Sequence, residues 1–244
     1  MSIKKVSIIL VIIGLLVGLS PVAGQLYTKY RESRMIDEWM NSEDSETAEE
    51  AAAADPEAAY SGLQEVLAPK GDKPEETAVE TAAPGATQAA ESAADRPTDA
   101  AEPEKPPANQ KVLGIIRIDK IKVSAPIVEG VSASNLKAGI GHIPGTAGLG
   151  NPGNCALAGH RSYTFGKFFN RLDELEIGDE ILITTKKEQL KYKVYEKLVV
   201  QPEDVSVIKG SKDENIVTLI TCTPIYVASH RLIIHASFEE RSAK

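Results

Sequence analysis

Cys222, His160 and Arg231 are the residues of this 244-residue chain whose types and settings fit acyl-transfer chemistry. Cys222 closes the run IVTLITC, and Arg231 follows nine positions later in HRLIIHA. A thiol becomes a nucleophile as its thiolate, which requires a neighbouring group to manage the proton. Imidazole titrates in the range that task needs, and His160 in ALAGHR ends a second apolar run. Arginine stays protonated and cannot serve as a base. Its fork of donors can instead hold the negative oxygen of a tetrahedral intermediate.

Each of these residue types also has an ordinary reading. A cysteine in an apolar strand is most often a small core residue. That is the reading taken for Cys155, which has no histidine or arginine at a comparable position. His142, in the loop GIGHIPG, reads as structural or as an edge of the cleft, and His230 and His235, on either side of Arg231, read as structural. Two cysteines far apart in sequence make neither a disulfide framework nor a paired zinc motif. With no second cysteine placed to resolve Cys222, a redox role is disfavoured.

The elements that must position these groups are short and β-rich. VLGIIRI (112–118), KIKVSAPIVEG (120–130), GNCALAGH (153–160), GDEILITT, QLKYKVYEKLVVQP, IVTLITC and HRLIIHASF read as strands bounded by turn residues. SASNLKAGIG (132–141) holds one short helix, and Phe165, Phe168, Phe169, Leu172 and Leu175 recur at a helix-like spacing. About eight short strands with one or two short helices predict an all-β, closed barrel. In IVTLITC both alternating faces are apolar, which marks a central strand covered on both sides. The eight residues from Thr223 to His230 suffice to join two adjacent antiparallel strands. Cys222 then ends one strand and Arg231 begins its neighbour, flanking one cleft if they share a face.

Upstream the composition changes twice. Val6–Ala23 is uncharged and just long enough to cross a hydrocarbon core of roughly 30 Å as a helix. Lys4 and Lys5 before it keep the N-terminus cytoplasmic and send the rest outside. A cleaved signal peptide is the rival reading, with a shorter apolar region as a rule. Residues 1–24 are therefore read as a membrane anchor, with Tyr27, Tyr30 and Trp39 beyond it suited to a membrane interface. Residues 25–110 read as a juxtamembrane segment and a disordered Ala/Glu/Pro-rich tether, in which a short helix around 48–59 would have nothing to pack on. From Asp37 to Gln110 there are 19 acids against 4 bases, whereas from Lys111 onward 18 bases face 15 acids. The domain at 111–242 is thus near neutral, and nothing in it suggests nucleic acid.

ALAGHR at 156–161, TLITC at 218–222 and Arg231 together resemble the sortases, membrane-anchored cysteine transpeptidases of Gram-positive surfaces. The resemblance spans roughly Gly114 to Ala236. It implies an eight-stranded sortase-like β-barrel with Cys222 as nucleophile, His160 as general acid/base and Arg231 stabilising the oxyanion or substrate. It further implies cleavage of an LPxTG-like sorting motif through a thioacyl enzyme. The new carboxyl end would pass to an amine of a cell-wall precursor or pilin lysine. The span from Val200 to Asn215 is too short for a class B insertion, and nothing before Val112 resembles the aromatic lid of many class C members. LAGHR, the GDEI run and TLITCTP are most similar to class D. No cofactor is required. Some sortases bind Ca²⁺, for which Glu174, Glu176 and Glu203 are candidate ligands, although loop acids are usually just solvated. The competing expectation is a non-enzymatic tethered barrel that binds a wall component or a partner protein.

Overall fold

The computed structural model describes residues 33–41, 54–67, 111–161, 168–225 and 227–243. Among these residues there are eight strands: β1 (Val112–Ile118), β2 (Val123–Glu129), β3 (Ile140–His142), β4 (Gly153–Ala158), β5 (Glu180–Thr184), β6 (Glu188–Val200), β7 (Asn215–Thr223) and β8 (His230–Ala243). They close into a barrel in the order β1-β2-β3-β4-β7-β8-β6-β5, with no free edge along the site-bearing strands. The pairs β2–β3 and β4–β7 are parallel, and the remaining pairs are antiparallel.

Alternation along the strands builds the core. Ile116, Ile118, Leu157, Val217, Leu219 and Ile234 point inward, fully buried, with Tyr192 and Phe169 among the larger fillers. Cys155 lies on this inward face, 1% exposed, as a core residue. The expected short helix is α2 (Ala133–Ala138), whose Ser132 side chain accepts from the Asn135 amide. The helix-like spacing from Phe165 does not produce an α-helix over its described part. Phe168 adopts φ 47°, and the chain continues through a 3-10 turn at Leu172–Glu174. A left-handed residue interrupts the helical run, yet Phe169, Leu172 and Leu175 still bury themselves against the core.

His142 ties β3 to β2 and to the loop that follows. Its Nδ1 donates to the Glu129 carboxylate at 3.1 Å and its Nε2 to the Ala147 carbonyl at 3.0 Å. Both partners are acceptors, so the ring sits there as imidazolium. Burial opposes that charge, but Cys155 and Glu129 beside the ring outweigh it and push the pKa up to about 10. The structural reading of His142 follows from this setting. His235 lies in a second chain of contacts: its Nδ1 meets the Thr218 hydroxyl at 2.8 Å, and that hydroxyl also meets Asn154 Oδ1 at 2.6 Å. Asn154 Nδ2 in turn donates to the carbonyls of Val207 and Lys209, holding the β6–β7 connection on the barrel.

The largest correction concerns the tether. A helix, α1 (Pro56–Leu67), lies within it and packs against the barrel. The sequence marks its start well: the Asp55 carboxylate accepts from the Glu57 amide at 3.0 Å, and Pro56 fills the first helical position. Residues 33–41 are also helical. Trp39, expected at a membrane interface, is instead 8% exposed, its carbonyl accepting from Lys186 and its ring lying 4.9 Å from that ammonium. The anchor at residues 6–23, the tyrosines 27 and 30 and the rest of the tether lie outside the described residues. No helix among the described residues is long and apolar enough to cross a membrane.

Candidate active site

The site lies on the outer face of the barrel wall formed by β4, β7 and β8. Along β7, Val217 and Leu219 face the interior, so Ile220 and Cys222, which alternate with them, share the outer face. The second cluster joins Ile220 and Cys222 to Ala156, Ala158 and Ile233. The apolar pattern on both sides of IVTLITC is thereby accounted for, since each face is covered by a different layer.

Cys222 and Arg231 are direct partners across the antiparallel β7–β8 ladder. Directly opposed side chains share a face and lie close together, so the nine-residue step in sequence becomes a neighbouring pair. Arg231 is 2% exposed, and its Nη1 donates to the carbonyls of Ala228 at 2.8 Å and His230 at 2.9 Å. Backbone oxygens at the start of its own strand therefore fix one edge of the guanidinium.

His160 approaches from the other side. β4 runs parallel to β7 with Ala158 opposite Ile220, and the Gly159 amide donates to the Ile220 carbonyl at 3.0 Å. The Thr221 hydroxyl bonds the Gly159 carbonyl at 2.8 Å. Two further residues in register bring His160 alongside Cys222, at the carboxyl ends of adjacent parallel strands. A Cβ on Gly159 would lie 2.8 Å from both Ile140 Cδ1 and Phe169 Cδ2, so the histidine requires glycine before it to reach this place. Its imidazole is half-buried, and burial, with Lys137 nearby, lowers its pKa. Burial raises the Cys222 pKa, opposed by the charges of Arg231 and Arg161. Both shifts favour a neutral thiol beside a neutral imidazole.

Two contributors escaped the sequence reading. Arg161 follows His160 and reaches across the ends of both strands, donating to the Thr223 hydroxyl at 2.9 Å and the Cys222 carbonyl at 3.4 Å. Its other nitrogen pairs with Asp173 at 2.7 Å, so the strand end carrying Cys222 is braced to the loop after β4. The second contributor is α1, which covers the site. The Leu67 carbonyl accepts from Cys222 Sγ at 3.5 Å, and Gln64 Oε1 accepts from Arg231 Nε at 2.6 Å. Tyr60, Leu63 and Leu67, at helical i, i+3 and i+7 positions, are buried against the outer face. Their spacing, together with Asp55-Pro56, was the available signal.

The remaining sequence candidates lie elsewhere. His230 is bonded to Gln201 and Ser229, and His142 and His235 serve the structural contacts described above. Of the candidate Ca²⁺ ligands, Glu174 pairs with Arg171 and Glu176 with Lys120, while Glu203 is exposed. Among the described residues no three metal-ligating side chains form a group.

One end of the barrel thus carries a cysteine and an arginine paired across one ladder and a histidine on the parallel neighbour. The Sortase domain family model matches residues 116–239, and the chain belongs to the sortase family. It is 33% identical over 132 residues to Sortase D of Bacillus subtilis (strain 168), covering 53% of this chain and 65% of that protein. Against Sortase A of Streptococcus agalactiae serotype III (strain NEM316) it is 31% identical over 138 residues, covering 54% and 55%. Sortase A from Corynebacterium diphtheriae superposes with a TM-score of 0.52 at 34% identity, over 55% of this chain and 63% of that one. The chain thus spans less than two thirds of the length of each.

Proposed function

We propose that this protein is a cysteine transpeptidase acting on LPxTG-like sorting motifs. The observation that carries the reading is the register: Cys222 opposite Arg231, with His160 one strand away. In the first half-reaction the Cys222 thiol proton passes to His160, and the resulting thiolate attacks the scissile backbone carbonyl, forming a carbon–sulfur bond. Arg231 holds the oxyanion, and His160 gives its proton to the departing amine as the carbon–nitrogen bond breaks. In the second half, an incoming amine attacks the thioester, His160 takes its proton, and the sulfur leaves as thiolate. No net oxidation occurs, and one amide replaces another.

The subclass reading is class D, on the strength of LAGHR, the GDEI run and TLITCTP. Relatives named D and A match at similar identity, so the motifs carry this choice. Residues 6–23 anchor the chain as a single span, with residues 111–242 outside the cell. Its partners are surface proteins with the sorting motif and an amine acceptor from the wall or a pilin. No cofactor is required for this chemistry.

The test is ligation. The full chain, incubated with an LPxTG-like peptide library and an amine, should release the motif's tail and join the amine to its new end. Cys222→Ala should abolish both events; retained ligation in that variant would remove Cys222 from the mechanism.

A further inference from the structure

We propose that Asn154 is a positioning residue for the peptide substrate: with Thr218 and His235 it fastens the β6–β7 connection as an apolar wall beside Cys222. The proposal rests on the reading of Cys222 as the nucleophile, and adds to it the residues that shape the surface next to it. The placement follows from register. On β7, Thr218 and Cys222 stand four residues apart on the outer face, and their ladder partners on β8 are His235 and Arg231. On β4, Asn154 precedes His160 by six residues on that same face. A second polar triplet therefore lies about 13 Å along the strands from the reacting one, on the same three strands. The face between them is apolar, and Val207 and Ile208 of the β6–β7 connection join the cluster there that contains Cys222. A peptide whose carbonyl meets Cys222 on this face has the connection as its neighbour.

The hydrogen bonds of the second triplet have one consistent direction. Asn154 Nδ2 donates at 3.1 Å to the carbonyls of both Val207 and Lys209, so Oδ1 is left as an acceptor. Thr218 gives its single hydroxyl hydrogen to that Oδ1 at 2.6 Å. The Thr218 oxygen then accepts from His235 at 2.8 Å, which puts a proton on His235 Nδ1. All three side chains are buried, with Thr218 wholly so, and each would leave a partner unsatisfied if removed. Tyr195 stacks on the His235 ring at 6.0 Å and holds it in place from outside.

The connection is also fitted to Asn154 sterically. A Cβ on Gly210 would lie 2.5 Å from Asn154 Cβ and 2.8 Å from its backbone nitrogen, so the chain passes flush over this residue. Within the connection, the Asp204 carboxylate accepts from the Ser206 amide at 3.0 Å and starts the 3-10 turn Val205–Ile208. The turn is thus shaped by its own cap, and its place on the barrel is set by Asn154.

The test uses the full chain and an LPxTG-like peptide, with ligation kinetics, hydrogen exchange and peptide binding read on each variant. Asn154→Asp keeps the shape and removes both donors. It should raise KM about tenfold or more while kcat changes little, and should speed exchange at residues 205–210 without speeding it in β1 and β5. His235→Phe should shift KM and exchange in the same direction, and His235→Gln, which can still donate to Thr218, should recover most of the loss. The ¹⁵N spectrum of the unmodified chain should show His235 protonated at Nδ1. Unchanged exchange at 205–210 in Asn154→Asp would overturn the fastening, and faster exchange with an unchanged KM would overturn the wall. Faster exchange throughout the barrel would reduce Asn154 to a residue of the fold and overturn the proposal as well. Peptide binding to Cys222→Ala, with and without Asn154→Asp, separates this idea from the transpeptidase reading. Binding that Asn154→Asp weakens, in a chain that never ligates, would sink that reading and keep the wall; ligation with binding unaffected by Asn154→Asp would do the reverse.

Discussion

Arg231 and Arg161 both place a cation near Cys222, but they reach it differently and so should fail differently. Arg231 faces the thiol across the ladder, with its fork available to an oxyanion once Gln64 withdraws. Arg231→Ala should lower kcat/KM by about 10²–10³-fold, the effect of losing an oxyanion donor. Arg231→Lys should recover little, because a point charge does not reproduce the planar fork. Equal activity of the lysine variant would argue for simple charge compensation. Arg161 acts through the strand end, on the Thr223 hydroxyl and the Cys222 carbonyl. It is a positioning residue, and its replacement by alanine should reduce kcat more than it changes KM. Because its charge also holds the Cys222 pKa down, the rate at which a thiol-directed methanethiosulfonate reagent labels Cys222 in that variant should rise only at higher pH than in the unmodified chain. A labelling profile that does not move would leave Arg161 with a packing role alone. Releasing α1 should act in the opposite direction, since burial is what raises the Cys222 thiol. A pH profile of labelling in Tyr60→Ser/Leu63→Ser, displaced to lower pH, is the expected outcome.

At the scale of elements, the junction of β2, β3 and the following loop depends on one charged ring. His142 is 3% exposed and donates from both nitrogens. Its folded pKa, raised from 6.5 to about 10, means that its stabilisation is complete below pH 6.5 and is lost as pH rises toward 10. Thermal unfolding should therefore show Tm falling across that interval, with the fall reduced in His142→Gln. The same substitution should destabilise the chain at neutral pH by roughly 1.5–3 kcal/mol, the range for a hydrogen bond to a charged group. A His142→Gln chain with an unchanged pH profile would assign that slope to other groups. The strands around this junction were legible because alternation, β-branched residues and turn signals agree from Val112 to Ala236. Cys222 and Arg231 were legible as neighbours because a short loop between adjacent strands has few ways to run. Over its described part, from Phe168 to Leu175, the apolar spacing does not give the expected helix, since burial at a barrel end requires no regular period. Arg161 escaped because an arginine after a histidine carries no local signature of what it will reach. The case of α1 is different. Its start signal and its Tyr60, Leu63 and Leu67 spacing were present, as was the uncovered apolar face of IVTLITC that demanded a partner. Acidic, alanine-rich surroundings outweighed them, because composition averages over a segment in which a few side chains do the packing.

Across the whole molecule, the domain that matches the family and the segment that covers its site are separated by residues 68–115. That separation gives the docking of α1 a mechanical meaning. In the anchored arrangement proposed above, the apolar run ends near residue 24 and the docked helix begins at Pro56. About 31 residues then lead from membrane to barrel, a path of at most about 100–110 Å at full extension. Trp39 on Lys186 shortens it further while that contact holds. Once α1 and the Trp39 contact have both come away, up to 87 residues separate residue 24 from the barrel at Lys111, and the limit rises to about 290–310 Å. Energy transfer between a dye on the barrel and acceptors in a supporting bilayer should fall in Tyr60→Ser/Leu63→Ser combined with Trp39→Ala relative to the unmodified chain; an equal signal would mean that these two contacts do not set the leash. Docked, these contacts would hold the barrel on a short leash, and their loss would widen the radius over which it can reach.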